Sequence, residues 1–368
     1  MKPYVPKVLP LRNIDCRRLL PLVGNARAAV GSYDGLLHGI VNPDVMLSPL
    51  TNEEAVLSSR IEGTQATVDE VLEHEAGLTK EGKKADDIKE IVNYRKALMS
   101  GWNALKENSI TLHLMRALHK VLLVGVRGQN KNPGEFRKDQ NWIGSLGCTI
   151  DQATFVPPNP MQLIDHLENW EQYASGDDID VLIQTGILHA QFELLHPFKD
   201  GNGRIGRMII PLFLFQKKAL SQPMFYLSAY LEANRIEYYN KLQNISRHDD
   251  WNGWLEFFLK AVTAQANTNN LKVKNIMQLY DDMKLQIQNV THSQFVIQVL
   301  DALFDRPIFR TSDFVLTMQG MTRQTAMSLL KQLKDADILH EIKSASGRKP
   351  AVLCFPALLN ITEGKRFI

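Results

Sequence analysis

Cysteine is scarce in this 368-residue chain. Cys16, Cys148 and Cys354 lie far apart, are odd in number and form no Cys-x-x-Cys pair. That spacing argues against a disulfide framework and against a thiolate metal site, and it suits a reducing compartment. Long apolar runs are also missing. The longest, Met208 to Phe215, is interrupted by Pro211 and is too short to cross a bilayer. The opening residues MKPYVPKVLPLRN carry no apolar core of the kind a signal peptide needs. A cytoplasmic location with no membrane partner is therefore the expectation. Charge of one sign is lacking too. The balance is 42 Lys and Arg against 40 Asp and Glu, a net +2. No global field draws the molecule to nucleic acid, so any such contact must be local. No internal repeat or low-complexity tract is visible. What remains is 44% hydrophobic and 22% charged, an ordinary globular composition with room for two or three domains.

Apolar periodicity predicts a mainly helical chain. After a Pro-rich entry, a helix is expected around Leu19 to Ala29. Thr51-Asn52-Glu53-Glu54 reads as a capping box that opens a helix ending at Gly63. Helical patterns follow from Val68 to Leu105 and from Thr111 to about Gly125. The stretch from Gly128 to Pro160 is crowded with glycine and proline and reads as a long loop carrying a β-hairpin. Loops of that length inside compact domains are usually functional. Further helices are expected at Met161 to Tyr173, Asp178 to Leu195, Gly203 to Lys217, Arg235 to Ile245 and Trp251 to Gln286. The Gly203 to Lys217 body is apolar all round, which places it centrally. Helices at Ser293 to Leu303, Thr311 to Met318 and Thr322 to Asp335, then strands at Leu339 to Ile342 and Ala351 to Phe355, follow the winged helix-turn-helix order.

The chemistry concentrates in His196 to Arg207, HPFKDGNGRIGR. Gly201-Asn202-Gly203 separates a helix end from a helix start. Glycines allow successive backbone N–H groups to turn inward, and a helix N-terminus adds its dipole, so the turn forms an anion nest. Arg204 and Arg207 share one side of the first helical turns. Arginine matches phosphate with a planar fork, so the pair suggests several phosphates. Asp200, beside the nest, would repel phosphate unless a cation lies between them, and Mg²⁺ binds in that way. His196 is the loop's base near neutral pH. Pro197 after it predicts an extended backbone at His196. Phe198 is expected to turn inward as an anchor. A lone Gly-Asn-Gly is usually a turn, a lone helix-end His usually a cap, and an Arg pair usually a solvated face. Their joint occurrence in twelve residues favours a phosphate site.

This loop resembles the signature of the Fic family, HxFx(D/E)GNGRxxR, at every specified position: His196, Phe198, Asp200, Gly201, Asn202, Gly203, Arg204 and Arg207. HAQFELLHPF upstream and YLEANRIEYYNKL downstream are also similar to the family. The resemblance is strongest from about Thr111 to Phe258. It implies a helical core with a small β-hairpin flap and an enzyme that transfers AMP from ATP to a Ser, Thr or Tyr hydroxyl of a protein, itself included. By that analogy His196 takes the hydroxyl proton and Asp200 holds Mg²⁺. Asn202, Arg204 and the Gly201 and Gly203 amides position the α- and β-phosphates, and Arg207 reaches the γ-phosphate. The nucleotide-binding stretch then runs Gly201 to Arg207, with Ile205 and Gly206 within it. The unbroken GNGR favours AMP over phosphate as the transferred group. The flap corresponds to Gly134 to Gly144 with Thr149 to Pro158, and Ile143 and Gly144 are candidate nucleotide-side residues. Tyr239, of the pair Tyr238-Tyr239, is the first choice for the adenine, with core packing as the ordinary alternative for both.

Ser58 to Gly63, SSRIEG, resembles the family's inhibitory motif (S/T)xxxE(G/N). Ser58 and Glu62 lie four apart on one helix face. Glu62 near a helix C-terminus is disfavoured by the dipole and calls for a positive partner; the resemblance implies Arg207. Ser58, Glu62 and Gly63 are therefore the inhibitory residues, and Glu62 counts also among those at the nucleotide. The expected organisation is an N-terminal helical region over 1–108 with its inhibitory helix at about 51–63, a catalytic core over 109–265, a linker helix over 266–291 and a winged-helix module over 292–368. Residues 321–368 hold eight Lys or Arg and four Asp or Glu. That modest excess leaves DNA open as a partner of the module, with protein contact or a homodimer as the commoner use. Alternatives to AMP transfer are AMP removal, phosphate transfer by the same loop, and a nucleotide-sensing DNA-binding regulator.

Overall fold

The computed structural model describes residues 2–40, 42–78, 81–145 and 147–363. Thr79 and Lys80 of the expected Val68 to Leu105 helical pattern, Leu146 of the expected 128–160 loop and 364–368 of the expected C-terminal module lie outside them. Among the described residues the helices are α1 (Cys16–His38), α2 (Pro43–Met46), α3 (Ser48–Ile61), α4 (Val68–Glu75), α5 (Lys83–Leu105), α6 (Leu112–Leu122), α7 (Leu163–Ser175) and α8 (Val181–Leu195). They continue with α9 (Asn202–Gln216), α10 (Ser228–Ala233), α11 (Arg235–His248), α12 (Trp251–Thr291), α13 (Val296–Asp305), α14 (Thr311–Thr317), α15 (Arg323–Asp335) and α16 (Pro356–Glu363). Strands β1 (Ile308–Arg310), β2 (His340–Lys343) and β3 (Val352–Cys354) make one antiparallel sheet in the order β1-β3-β2. No described helix is long and apolar enough to cross a membrane.

The chain divides into two compact units. The first holds Met1–Gly35, Leu57–Thr64 and Lys89–Asn267; the second holds Leu36–Val56, Gln65–Ile88 and Thr268–Ile368. The first unit is built on α8 and α9. Asp180 starts α8, its carboxylate accepting from Leu182 N at 2.7 Å and Ile183 N at 3.3 Å. Nearly every α8 residue is buried. Gly186 leaves room for α12, since a Cβ there would lie 2.9 Å from the Phe258 ring. The Trp254 indole then donates to Gly186 O at 2.9 Å, and the Trp170 indole donates to Leu188 O at 2.9 Å. α9 is buried along Ile205 to Leu214, as its apolar body predicts.

The second unit gathers α13 to α16 and the sheet, with a core that includes Val299, Leu300, Leu303, Leu330, Leu333 and Phe355. Thr322 caps α15, accepting from Thr325 N at 3.2 Å. β1 and α16 were not expected from the sequence. β1 has only three residues, too few to show a period.

Two local expectations are corrected. The helix before Gly63 begins at Ser48, so Thr51 lies inside it with its hydroxyl on Leu47 O at 3.5 Å. Pro49 in the first turn lacks an N–H that would have no helical partner there, so an early start is tolerated. The capping box is instead at Thr67 and Glu70, which opens α4 with both reciprocal bonds, at 3.4 and 3.0 Å. The hairpin of 128–160 is reduced to one antiparallel bridge, Ile143 with Phe155, with a short 3₁₀ turn at Ile150–Gln152.

Candidate active site at the junction of α8 and α9

The loop between α8 and α9 owes its shape to its own residues. Gly201 has φ +75°, the left-handed value that glycine adopts without cost. Asn202 closes the loop on itself. Its Oδ1 accepts from Phe198 N at 2.8 Å and its Nδ2 donates to Phe198 O at 2.8 Å. Both polar ends of Asn202 are thus used inside the loop. Phe198 is fully buried, as expected, and stacks on the His119 ring at 3.8 Å and 7°. His119, from α6, was not anticipated. Gly134 N donates to its Nδ1 at 2.8 Å. That bond leaves the ring proton on Nε2, which donates to Asp200 O at 2.9 Å. Burial lowers the His119 pKa to about 4, so the neutral form this bridge requires prevails at neutral pH.

His196 departs from its expected backbone. It has φ 46° and ψ 58°, left-handed rather than extended. The reason is its place just past a helix end, where its N–H still bonds Phe192 O at 3.0 Å and the chain must reverse. Its Nδ1 is buried without a well-formed hydrogen bond, so Nε2 is the nitrogen left to accept a proton. Burial, then the nearby Arg137 charge, lower its pKa to about 4 against the pull of the Glu193 backbone, Glu62 and Asp200.

The two loop arginines occupy different settings. Arg204 is 1% exposed. Its Nη1 donates to Glu90 Oε2 at 2.9 Å, and its Nη2 lies 3.6 Å from Asp200 Oδ1. Arg127 approaches the other Glu90 oxygen at 3.5 Å. Arg204 therefore backs the loop from beneath and has no surface to offer a phosphate in this state. Arg207 points toward the residues around Glu62. Its Nη2 donates to Glu62 Oε1 at 2.7 Å and to Ser58 O at 2.9 Å, and its Nε to Ser58 Oγ at 2.8 Å. Ser58, Glu62 and Arg207 are thus brought together. Glu62 follows α3 in a turn that Gly63 completes at φ +98°. Burial alone would raise the Glu62 pKa, but Arg207, Arg204 and His196 together bring it below the usual carboxylate range. Gly203 makes the approach possible, since a Cβ there would sit 2.1 Å from Glu62 Oε1.

The remaining candidates fall into place around these. Ile205 is fully buried in the core side of α9. Gly206 faces Glu193, whose Oε1 would lie 2.3 Å from a Cβ at that position. That Glu193 oxygen is buried without a hydrogen bond, and burial raises the carboxyl to about 7. Tyr238 is core, its hydroxyl 3.0 Å from His189 Nε2. Tyr239 is 43% exposed and lies near Arg235. In the flap, Ile143 is half-exposed and bridges Phe155, N to O at 2.9 Å. Gly144 is packed so that a Cβ would meet Cys148 Sγ at 2.5 Å. The flap base is tied to the loop by Asn141, whose Nδ2 donates to Phe198 O at 3.2 Å, and by the Lys199–Asp139 pair at 2.7 Å.

Residues 20–103 match the model of the Fic/DOC family N-terminal region, and residues 109–214 match that of the Fic/DOC family. The chain belongs to the Fic/DOC family. A probable protein adenylyltransferase of Aquifex aeolicus is 29% identical over 197 residues, 51% of this chain and 55% of that one. The protein adenylyltransferase Fic of Aedes aegypti is 28% identical over 148 residues, 39% of this chain and 27% of that one. The chain thus spans about half or less of the curated relatives it matches. A Fic family protein from Desulfovibrio desulfuricans superimposes with TM-score 0.59 at 18% identity, over 96% of this chain and 98% of that one. Fic-1 from C. elegans gives TM-score 0.52 at 20% identity over 72% and 76%. These two likenesses establish the mainly helical Fic fold. The Fic signature is thus the loop between α8 and α9 that carries His196 to Arg207.

Proposed function

We propose that this chain transfers AMP from ATP to a Ser, Thr or Tyr hydroxyl of a protein, itself included, and that its resting state is held off by Glu62. The observation that carries the reading is the convergence of one neutral imidazole, one partly exposed carboxylate and one arginine at the N-terminus of α9. Such an arrangement works by positioning and charge stabilisation. The target hydroxyl oxygen bonds to the α-phosphorus, and the bond from that phosphorus to the α,β-bridging oxygen breaks. Pyrophosphate leaves, and the hydroxyl proton passes to His196 Nε2. The Gly201 to Gly203 backbone and the free N–H groups of the first turn of α9 cradle phosphate oxygens. Arg204, fixed by Glu90, adds charge from below and aligns Asp200. Arg207 receives the γ-phosphate, and Tyr239 with Ile143 and Gly144 flank the nucleoside.

Asp200 fits the Mg²⁺ that usually accompanies ATP. Its side chain is 32% exposed at the mouth of the nest. Among the described residues no group of three or more His, Cys, Asp or Glu stands together. One carboxylate completed by phosphate oxygens and water is the donor set Mg²⁺ accepts. When bound, the ion neutralises phosphate charge; the residues described here do the orienting.

The brake follows from Arg207. While Glu62 and Ser58 hold Nη2 and Nε of its guanidinium, Glu62 blocks the γ-phosphate from Arg207, and ATP settles unproductively. The test is intact mass after incubation with ATP and Mg²⁺. Glu62→Gly is expected to acquire AMP adducts at least about tenfold faster than the parent, corresponding to loss of roughly 1.4 kcal/mol of inhibition. His196→Ala in that background is expected to acquire none. Phosphate adducts in place of AMP, or equal labelling with and without Glu62, would overturn the reading. For 292–368 we propose a winged-helix module that engages protein rather than DNA. Half- to well-exposed Leu316 and Met327 support this reading, as does the engagement of Lys334 by Glu341.

A further inference from the structure

Arg137 lies in the flap base and makes every one of its bonds to carbonyl oxygens. Its N–H donates to Pro197 O at 2.8 Å. Its Nε donates to His196 O at 3.0 Å, and its Nη2 to Pro158 O at 2.6 Å and to Leu195 O at 3.4 Å. Its Nη1 reaches Asp139 O at 3.4 Å. The residue is 3% exposed. Burial lowers its pKa to about 10, which leaves it charged at neutral pH. A buried guanidinium is costly unless something compensates it. Here the compensation is the end of α8. The Leu195 and His196 carbonyls have no partner within their helix, and they carry the negative end of its dipole. Arg137 satisfies both from a distant part of the chain.

The same contact bears on strain. His196 is a non-glycine residue in the left-handed region, which costs on the order of 1 kcal/mol and persists only where surroundings enforce it. Pro197 and the Arg137 Nε bond to His196 O fix the far side of this turn, and the Arg137 Nη2 bond to Leu195 O holds the near side. Pro158 O, on the return arm of the flap, shares the same guanidinium. One side chain therefore joins both arms of the flap to the turn that aims the imidazole.

We propose that Arg137 is the positioning residue for His196, capping the carboxyl end of α8 from the flap so that the left-handed turn and the flap move as one piece. This rests on the reading of His196 as the proton acceptor for AMP transfer. Asp200 and Glu62 are the other charged side chains that act on His196, and neither bonds its backbone.

The test uses Arg137→Met and Arg137→Lys in the full-length Glu62→Gly protein. Affinity for ATP with Mg²⁺ is measured by calorimetry, AMP transfer by intact mass, and the His196 ring by NMR of histidine-labelled protein, assigned with His196→Ala. Arg137→Met is expected to bind ATP within about threefold of its parent yet transfer AMP about 100-fold more slowly, the scale of a misplacement of about 1 Å. Arg137→Lys, which keeps the charge without the fork, is expected to recover about tenfold of that loss. The His196 ring midpoint is expected to move up from about 4 in Arg137→Met. A folded Arg137→Met with an unchanged rate would overturn the proposal. So would a parallel collapse of rate and ATP affinity, or an Arg137→Lys indistinguishable from its parent. If Arg137→Met does not fold, Arg137→Lys decides alone. If the Glu62→Gly parent transfers no AMP, the proposed reaction fails, and the His196 resonance still decides the role of Arg137: an unchanged ring signal sinks it.

Discussion

Glu90 and Arg204 form a pair in which both side chains are essentially buried, at 2% and 1% exposure. Such a pair contributes little net stability relative to an apolar replacement, but losing one partner strands the other charge. Glu90 Oε2 is the acceptor for Arg204 Nη1, and Arg204 Nε is itself buried without a partner. Asp200, 3.6 Å from Arg204 Nη2, is a second ion-pair neighbour but is too far for a hydrogen bond, and its side chain is 32% exposed, so it compensates the buried guanidinium less than Glu90 does. Glu90→Gln keeps the shape and removes the charge. It is expected to lower unfolding stability by about 3 kcal/mol, at the lower end for a broken buried pair. It is also expected to weaken ATP–Mg²⁺ binding, because Asp200 loses its neighbour's alignment. Chemical denaturation and calorimetry measure the two effects. An unchanged denaturation midpoint would show that Arg204 is held by something other than Glu90.

The elements differ in how openly the sequence declared them. α8 and α9 were legible from local signals, an apolar stretch broken at His196-Pro197 and an apolar body behind a glycine turn, although α8 starts at Val181 with its cap at Asp180 rather than at Asp178. The candidate loop was legible for the same reason, since its phosphate-binding character lies in consecutive residues. Arg137, His119 and Glu90 were not, because each acts across a sequence gap of 59 residues or more. A lone Arg in a glycine-rich stretch or a lone His on an amphipathic helix carries no local mark of its distant partner. The flap was overread as a hairpin because its strand-like pieces are separated by Gly and Pro. Among the described residues of this stretch Ile143 and Phe155 form the one β-bridge, and the rest is tied down by side chains and by single backbone bonds such as Arg137 N to Pro197 O. α15 poses the same difficulty at its outer face. Arg323, Lys331, Arg348 and Lys349 line one groove of about 860 Å³, but so do Leu316, Met327, Asp335 and Glu341. Phosphate backbones reward an uninterrupted basic stripe, and this surface is mixed. A gel shift with duplex DNA is therefore expected to show no retardation that falls steeply between about 50 and 200 mM salt. A steep salt slope would reassign the module to DNA.

At the scale of the molecule, the buried histidines set the response to acid. His119, His189 and His196 all belong to the first unit and are each lowered to about 4, in every case chiefly by burial. In the unfolded chain each titrates near its ordinary value of about 6.5. Between those values the unfolded state binds more protons, so folding stability falls as pH drops from about 6.5 toward 4 and levels off below that. Glu193 acts in the opposite sense. Its carboxyl is raised to about 7, so the folded state binds the extra proton, and its contribution is lost as pH rises from about 4.5 to 7. One glutamate offsets one of the three histidines, which leaves an excess of two protons bound by the unfolded state over most of the window. Each proton corresponds to about 1.4 kcal/mol per pH unit, so the steepest loss is roughly 2–3 kcal/mol per unit. Glu62, whose pKa is depressed, adds its own loss only at lower pH, as it protonates through its folded value. Thermal unfolding recorded at pH 7, 6 and 5 is expected to show a falling midpoint. Replacing His189 by Gln is expected to flatten that fall by about half, because the excess bound by the unfolded state drops from two protons to one while a hydrogen bond to Tyr238 is still within reach. A midpoint independent of pH across this range would mean that these imidazoles are hydrated in solution, and the neutral His196 on which the proposed proton transfer depends would lose its physical basis.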